Sequence, residues 1–183
     1  MTEERYIKET RHWIETVVIK NNFCPFAQRE LKRGSIHFHV NRDLMMEDIL
    51  FNVIQECKRL DETASIETSL LIYPAQFKDW DDFLDLIDIA QQLIVEQGYE
   101  GIYQLASFHP DYCFEDAPAD DPANYTNRSP YPMLHLLRED SLEQALENYM
   151  EAEDIPERNI RKAREIGLAA MQNLLRDCYI NKK

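Results

Sequence analysis

Segments with a helical spacing of apolar residues alternate in this chain with shorter segments in which apolar and polar residues alternate. The predicted strands cover 35–40, 68–73, 101–108 and 133–137. The predicted helices cover 2–22, 25–32, 44–60 and 79–97, and two more begin at Ser141 as an N-cap and at Pro156, the last one running to about Tyr179. Strands that alternate with helices favour a layered domain with some parallel strand pairing.

We therefore predict the α/β (α+β) class for this chain. Its 183 residues are enough for one domain with a substantial core, so residues 1–183 are treated as a single unit. The prediction is a mixed sheet of about four strands packed by helices, and a ferredoxin-like core is the first candidate for the strand arrangement.

The net charge of the chain limits the classes of partner that it can bind. A net charge of −14 argues against nucleic acid and against an anionic membrane surface, because both attract basic patches. The sequence contains neither a signal peptide nor an apolar run long enough to span a membrane. Its four cysteines have no CxxC or zinc-ribbon spacing, which is typical of reduced thiols in the cytoplasm.

The long connection from Phe108 to Glu139 is where function is expected. It holds five of the eight prolines of the chain, together with two histidines, two arginines and a cysteine. Irregular connections of this length inside a domain are usually functional loops or disordered linkers, and the aromatic residues in this one favour an ordered loop.

Cys24 and His109 are candidate catalytic residues. Cys24 lies in a turn that can precede a helix, where a thiolate nucleophile is favoured, although a packed turn cysteine explains the same position. His109 follows the third predicted strand, where ligand sites of α/β proteins gather, and it can act as a general acid or base. The alternative for His109 is a ring packed inside the loop.

Asn127, Arg128 and Ser129 are candidate ligand-binding residues. An arginine beside amide and hydroxyl groups suits a carboxylate or a phosphate. The alternative is an internal role in which Arg128 pairs with an acidic residue of the loop, Asp120, Asp121 or Glu115. His135 and Arg138, near the end of the fourth strand, complete the candidate set as a catalytic and a ligand-binding residue, although a buried, hydrogen-bonded histidine is the simpler interpretation of His135.

His37 and His39 form an HxH pair on one face of the first strand, and such a pair can supply two metal ligands. A third ligand would have to come from His109, His135 or Cys24, and no defined spacing links them. The alternation of the strand favours two polar residues facing solvent. We therefore predict no metal site. GxGxxG, P-loop, GxSxG and HExxH motifs are all missing, so the sequence names no cofactor, and it indicates no oligomeric state.

Four segments carry a resemblance to a known family: CPFA (24–27), SFHPDYCF (107–114), TNRSPYPMLHLLRE (126–139) and ERNI (157–160). The chain resembles the bacterial domain of unknown function 1415 family over nearly its whole length. That family is functionally uncharacterised, so the resemblance implies no reaction. The positions that match its motifs are Cys24, Pro25, His109, Pro110, Asn127, Arg128, Ser129, His135 and Arg138. His37 and His39 lie outside the pattern.

Three hypotheses follow for the function, and whether the protein is an enzyme is left open. The first is a small cytoplasmic enzyme that acts on an anionic small molecule through an Arg/His/Cys site. The second is a non-catalytic module that binds a ligand or a protein. The third is a His-ligated metal-binding protein.

Overall fold

The computed structural model describes residues 2–150 and 152–180, and within them the chain forms seven α-helices and four strands. The helices are α1 (Glu3–Trp13), α2 (Ala27–Arg33), α3 (Met46–Glu62), α4 (Trp80–Glu96), α5 (Glu139–Glu147), α6 (Ile155–Ile166) and α7 (Leu168–Arg176). A π-helical segment, Ile14–Ile19, continues directly from α1, and short 3-10 turns cover Pro122–Thr126 and Ala152–Asp154.

The strands form one mixed sheet. They are β1 (Ile36–Val40), β2 (Thr68–Ile72), β3 (Tyr103–Phe108) and β4 (Met133–Arg138). Their order across the sheet is β1-β2-β4-β3, with β1 and β2 parallel and the other two pairs antiparallel. The predicted fold class, an α/β domain with a four-stranded mixed sheet, is confirmed.

The strand arrangement differs from the ferredoxin-like candidate. A ferredoxin-like core runs β-α-β-β-α-β, whereas this sheet is built from β-α-β-α-β-β. The difference arises because a helix joins β2 to β3 while a loop, 109–132, joins β3 to β4. That loop lets β4 return antiparallel and insert between β2 and β3.

Both faces of the sheet are covered by helices. Helices α3 and α4 pack on one face, against Leu71 and Leu134, and we call it the α3–α4 face. The other face carries Leu70 and Met133 and is covered by helices from both ends of the chain, so we call it the terminal face. Successive residues of β2 and β4 alternate between the two faces, which explains why apolar residues follow one another directly in these central strands, as in Leu70–Ile72 and Met133–Leu134.

Two predicted helix boundaries are wrong. Ser141 was expected to cap a helix, but α5 begins at Glu139, directly after β4, and Ser141 lies inside its first turn. The last helix was expected to be continuous, but α6 ends at Gly167, whose φ of 86° lies in the left-handed region, and α7 follows it as a separate helix. Glycine reaches this region without a steric penalty, and it commonly ends helices in this way.

Glu9 ties the beginning, the loop and the end of the described chain together. Its side chain is fully buried in α1, where it accepts hydrogen bonds from Arg5, from the Tyr131 hydroxyl and, at 2.8 Å, from the backbone amide of Ile180. A buried carboxylate is tolerated only when it is paired and hydrogen-bonded. The network around Glu9 therefore fixes the helices that enclose the terminal face.

Candidate functional site

A cavity of about 260 Å³ lies on the terminal face of the sheet. Its floor is formed by side chains that project from all four strands, and its walls come from the π-helical segment, the turn before α2, and α5. The lining is largely apolar; Ile14, Val18, Phe108 and Leu142 are representative. Small-molecule sites are typically concave, mostly apolar and supplied with a few polar groups, so this cavity is the candidate site.

The π-helical segment and Trp13 shape one wall. Ile14 and Val18 of that segment are buried and line the cavity. Trp13 also lines it, with its ring edge-on to Phe108 at 5.0 Å between centroids. The indole Nε1 donates a hydrogen bond of 3.0 Å to the carbonyl oxygen of Arg128, which joins this wall to the long loop. π-Helical turns are rare and are frequent at functional sites.

Cys24 lies in the turn between the π-helical segment and α2, and it lines the cavity half-buried. Burial raises the pKa of its thiol, and hydrogen bonds from the backbone amides of Phe26 and Ala27 offset only part of this effect. At neutral pH Cys24 is therefore a thiol and not a thiolate, and a thiol is the weaker nucleophile.

The turn that carries Cys24 is held by α6. Asn159 donates a hydrogen bond of 2.6 Å to the carbonyl oxygen of Phe23, and Arg158 donates one of 2.9 Å to that of Asn22. Arg158 and Asn159 belong to the ERNI segment, which was noted in the sequence but contributed no candidate residue. The ERNI motif was the feature of the sequence that could have pointed to these two residues, and their role is to position the turn that carries Cys24.

His135 projects from β4 into the cavity, where its Nε2 lies 2.5 Å from the hydroxyl oxygen of Thr68. That hydroxyl donates its single proton to the carbonyl oxygen of Leu136 at 2.5 Å, so Nε2 of His135 must be the donor in the first bond. Burial lowers the pKa of His135 to about 4. The ring is therefore neutral at pH 7, and among the described residues its Nδ1 has no hydrogen-bond partner.

Glu67 lines the same cavity beside β2. Its Oε1 is buried and has no hydrogen-bond partner in the described part of the chain. An unpaired buried acceptor costs free energy, so it is a natural contact for a ligand that carries a donor. Glu67 was not among the residues selected from the sequence, because a single acidic residue next to a strand gives no signal in so acidic a chain.

Arg138 also lines the cavity, but its guanidinium is used elsewhere. It donates to the carbonyl oxygens of Leu60 and Ile66, with the Nε bond to Ile66 measuring 3.3 Å. These bonds fasten the connection between α3 and β2 to the end of β4. The main role of Arg138 is therefore structural, although part of its side chain borders the cavity.

His109 lies outside the cavity and is fully buried. Its Nε2 is 2.8 Å from the carbonyl oxygen of Phe77, and its Nδ1 accepts a 3.0 Å hydrogen bond from the backbone amide of Asp111. The ring stacks on Phe83 at 5.2 Å and contacts Trp80 at 5.1 Å. Burial lowers its pKa, so the ring is neutral, and both nitrogens are occupied. This geometry corresponds to the packed-ring alternative.

Asn127, Arg128 and Ser129 lie together in the loop, away from the cavity lining. Arg128 donates hydrogen bonds of 3.0 and 2.9 Å to the carbonyl oxygens of Tyr112 and Ala119. Ser129 is fully buried and donates to the carbonyl oxygen of Tyr131, and the Asn127 side chain donates to Thr126. Arg128 thus has an internal role, but through backbone carbonyls; the acidic residue Asp121 is paired instead with Arg164, at 2.7 Å.

His37 and His39 do not face open solvent as the alternation suggested. They project onto the α3–α4 face, where both are half-buried beside the buried carboxylate of Glu56. These three residues are the group in the described chain whose side chains could hold a metal ion. Neither His109 nor Cys24 takes part, so the third member was not among the residues considered from sequence.

A comparison with known protein families gives one match. A sequence model of the family described as "Protein of unknown function (DUF1415)" matches residues 5–173. The chain belongs to this family. The match spans nearly the whole chain and confirms the resemblance drawn from the four sequence segments.

The family assignment supplies no reaction, ligand or partner. No curated protein and no solved structure matches the chain. Among the described residues, no helix has both the length and the apolar character needed to cross a membrane. The function must therefore be argued from the cavity itself.

Proposed function

We propose that the protein binds a small, largely apolar molecule that carries a hydroxyl or amine group, in the cavity on the terminal face. The observation that carries the proposal is the composition of the cavity. Its lining is mostly apolar and includes two acceptors that are not used within the described residues: Glu67 Oε1, which is buried without a partner, and Nδ1 of His135, whose ring makes its hydrogen bond through Nε2. A ligand with an apolar body and one donor would bury its body and satisfy these acceptors.

Charge supports a neutral or cationic ligand over the anion predicted from sequence. The two arginines expected to bind an anion, Arg128 and Arg138, donate to carbonyl oxygens of their own chain. The cavity lining also includes Arg29, which is hydrogen-bonded to Glu30, and the carboxylate of Glu67, and the net charge of the protein is −14. An anion would approach an unfavourable potential. The anionic ligand remains a prediction, and the experiment below compares it directly.

Cyclohexanol, cyclohexylamine and cyclohexanecarboxylic acid form a suitable probe set, because they share one apolar body and differ only in the polar group. Each is titrated into the full chain while thermal unfolding is recorded. We expect the alcohol or the amine to raise the Tm in a saturable manner and the acid to have no such effect. If the acid alone stabilises the protein, the anionic ligand is correct; if none of the three does, the binding proposal is wrong.

Substitution of Glu67 locates the binding. Glu67→Gln removes the carboxylate with little change in shape, and we expect it to weaken amine binding by roughly tenfold or more, because hydrogen bonds to charged groups contribute about 1.5–3 kcal/mol. Glu62→Gln is the matched control, since Glu62 is an exposed residue at the end of α3 and outside the cavity lining. Equal binding by both variants would place the ligand elsewhere.

Catalysis on the bound molecule is the second candidate function, because Cys24 and His135 line the same cavity. The directions of their pKa shifts make it the weaker candidate: the Cys24 thiol is held protonated and the His135 ring is a weak base. General acid–base groups work best when the pKa lies near the operating pH. If a substrate screen finds turnover, Cys24→Ser and His135→Gln should abolish it; turnover that survives both substitutions excludes these catalytic roles.

The expected setting is still the cytoplasm of a bacterial cell. All four cysteines are free in the structure, which supports a reducing compartment. Non-reducing mass measurement of protein isolated from cells, with thiols blocked at lysis, should find four free thiols.

A further inference from the structure

A cluster of three polar residues, His37, His39 and Glu56, lies on the α3–α4 face at the edge of the sheet formed by β1. The two histidines are adjacent on one strand face, and α3 places Glu56 against them. Nε2 of His37 lies 3.5 Å from Oε2 of Glu56, and Nδ1 of His39 lies 3.6 Å from Oε1. The potential ligand atoms of all three residues lie within 4.8 Å of one another.

These separations are close to those of a coordination sphere. Zinc binds imidazole nitrogen and carboxylate oxygen at about 2.0–2.2 Å, so tetrahedral ligand atoms lie about 3.4 Å apart. The cluster therefore needs only a small contraction to hold an ion. Two imidazoles and one carboxylate are the protein ligands of many catalytic zinc sites and of non-haem iron(II) sites, both of which keep further positions open.

The Glu56 carboxylate is buried and oriented before any ion arrives. It is 1% exposed, and the hydroxyl of Ser69 on β2 donates a 2.6 Å hydrogen bond to its Oε2. Hydrogen bonds of this kind fix a carboxylate in the orientation that a metal requires. The two histidine side chains are 28% and 26% exposed, so an ion can reach the cluster from solvent at the sheet edge.

We propose that His37, His39 and Glu56 form a binding site for a divalent first-row transition-metal ion such as Zn²⁺. The site is distinct from the cavity, because it lies on the opposite face of the sheet and shares no lining residue with it. Magnesium does not suit this set, since Mg²⁺ prefers oxygen ligands in an octahedral arrangement and the cluster offers two nitrogens.

Arg59 is the competitor of the metal. Its Nε donates a 3.0 Å hydrogen bond to Oε1 of Glu56 and supplies the positive charge beside the buried carboxylate. The Arg59 side chain is 44% exposed, so it can turn into solvent when a cation takes its place. Arg59 and the metal ion therefore exclude each other, and this competition separates a metal site from a cluster whose only task is to neutralise Glu56.

The test is isothermal titration calorimetry of Zn²⁺ into the chelator-treated full chain without an affinity tag. We expect one ion per chain, with Mg²⁺ giving no comparable binding. His37 and His39 are half-buried residues of the edge strand β1, so His37→Ala and His39→Ala should leave the protein folded, as judged by thermal unfolding. Each should weaken zinc binding by roughly a hundredfold or more, because even residues that only orient ligands contribute about 10–100-fold.

Three further variants serve as controls. His12→Ala removes an exposed histidine of α1, and Cys24→Ser removes the half-buried thiol of the cavity; both should bind zinc as the unaltered chain does. Arg59→Ala should bind zinc more tightly, by roughly three- to tenfold, because the competing cation is gone.

The proposal is overturned if the unaltered chain and Arg59→Ala both fail to bind zinc stoichiometrically. It is equally overturned if binding persists in His37→Ala and His39→Ala, or if Cys24→Ser is the variant that loses it. In the last case the thiol, and not this cluster, is the zinc ligand.

Discussion

Loop 109–132 and the cavity differ in how their polar groups are satisfied. In the loop, both nitrogens of His109, the guanidinium of Arg128 and the hydroxyl of Ser129 all bind groups of their own chain. In the cavity, the buried Oε1 of Glu67 has no partner in the described chain, and the half-buried His135 ring makes its hydrogen bond through Nε2 and leaves Nδ1 unused. The reactive residues of the loop are thus used within the chain, whereas the cavity presents acceptors that a ligand could use.

Residue type alone therefore does not locate a functional site. A histidine or an arginine in an irregular segment has more backbone groups to satisfy than one in a helix or strand, because loops leave carbonyls and amides unpaired. The loop recruits its polar side chains for that purpose. We therefore expect substitutions in the loop to act on stability and substitutions in the cavity to act on binding.

His109→Ala should destabilise the protein more than any other substitution considered. It removes a fully buried ring that stacks on Phe83 and leaves the carbonyl of Phe77 without its hydrogen bond. We expect a loss of about 3–5 kcal/mol in the free energy of unfolding, measured by urea denaturation. His12→Ala, at an exposed position of α1, is the control and should change little. A stable His109→Ala protein that had lost activity would reverse the assignment and make His109 catalytic.

The next largest effect is a pH dependence of the free energy of unfolding, which arises from His135 in the cavity. Burial lowers the pKa of His135 from its ordinary value of 6.5 to about 4, so the unfolded chain binds a proton in this range that the folded chain does not. Stability is therefore lost as the pH falls from about 6.5 towards 4, by up to about 3 kcal/mol. His109, whose pKa is also lowered by burial, acts in the same direction.

Replacement of His135 isolates its share of this dependence. His135→Gln cannot be protonated, so its free energy of unfolding should fall less steeply between pH 6.5 and 4 than that of the unaltered chain. Urea denaturation at several pH values measures both slopes. Identical slopes would show that the His135 ring is solvated like a surface histidine, which contradicts its place in the floor of the cavity.

Arg128→Ala should cost about 2 kcal/mol of stability, less than His109→Ala. The substitution leaves the carbonyl oxygens of Tyr112 and Ala119 without their donors and removes the guanidinium that lies 4.6 Å from the centre of the Tyr125 ring. Arg164→Ala is the matched control, because Arg164 forms an exposed ion pair with Asp121 of the same loop and should lose much less.

Ligand binding distinguishes the two roles of Arg128. If the residue only holds the loop, Arg128→Ala should bind the cyclohexyl probes as the unaltered chain does at a temperature where both are folded. Selective loss of binding to cyclohexanecarboxylic acid, with stability unchanged, would restore the anion-binding hypothesis for Arg128.

The sequence predicted the elements of the fold well, because each depends on local periodicity. The apolar spacing of α3 and the alternation of β1 place these segments within about two residues of their observed ends. The insertion of β4 between β2 and β3 could not be predicted, since it depends on the path of loop 109–132. The alternation of β1 also gave no sign that α3 covers its second face.

The candidate site was predictable in part. Cys24, His135 and Arg138 do line one cavity, and all three had been selected from the sequence. Glu67 and Glu56 were not selected, because a single glutamate has no local sequence pattern. Glu67 matters because its Oε1 is buried without a partner, and Glu56 matters because it is buried beside two histidines. Such properties arise only when segments distant in the sequence pack together.

The smallest effect should come from filling the cavity, and it has the opposite sign. Ala145 of α5 is half-buried and lines the cavity, so Ala145→Leu would extend an apolar side chain into the empty space from a helix that accepts leucine well. We expect a gain of up to about 1 kcal/mol in the free energy of unfolding, which is typical of cavity-filling substitutions, together with the loss of probe binding. Ala169→Leu, at an exposed position of α7, is the control and should bind the probes normally.

If Ala145→Leu gains stability and loses probe binding, the cavity is a ligand site and not a packing defect. Interiors are normally packed as closely as organic crystals, so a cavity that leucine can fill at a gain is retained against stability. If Ala145→Leu destabilises the protein, the space is too small or too rigid for an occupant of this size. If it stabilises the protein and the cyclohexyl probes still bind, they bind elsewhere, and the contrast between an occupied loop and an open cavity no longer identifies the functional region.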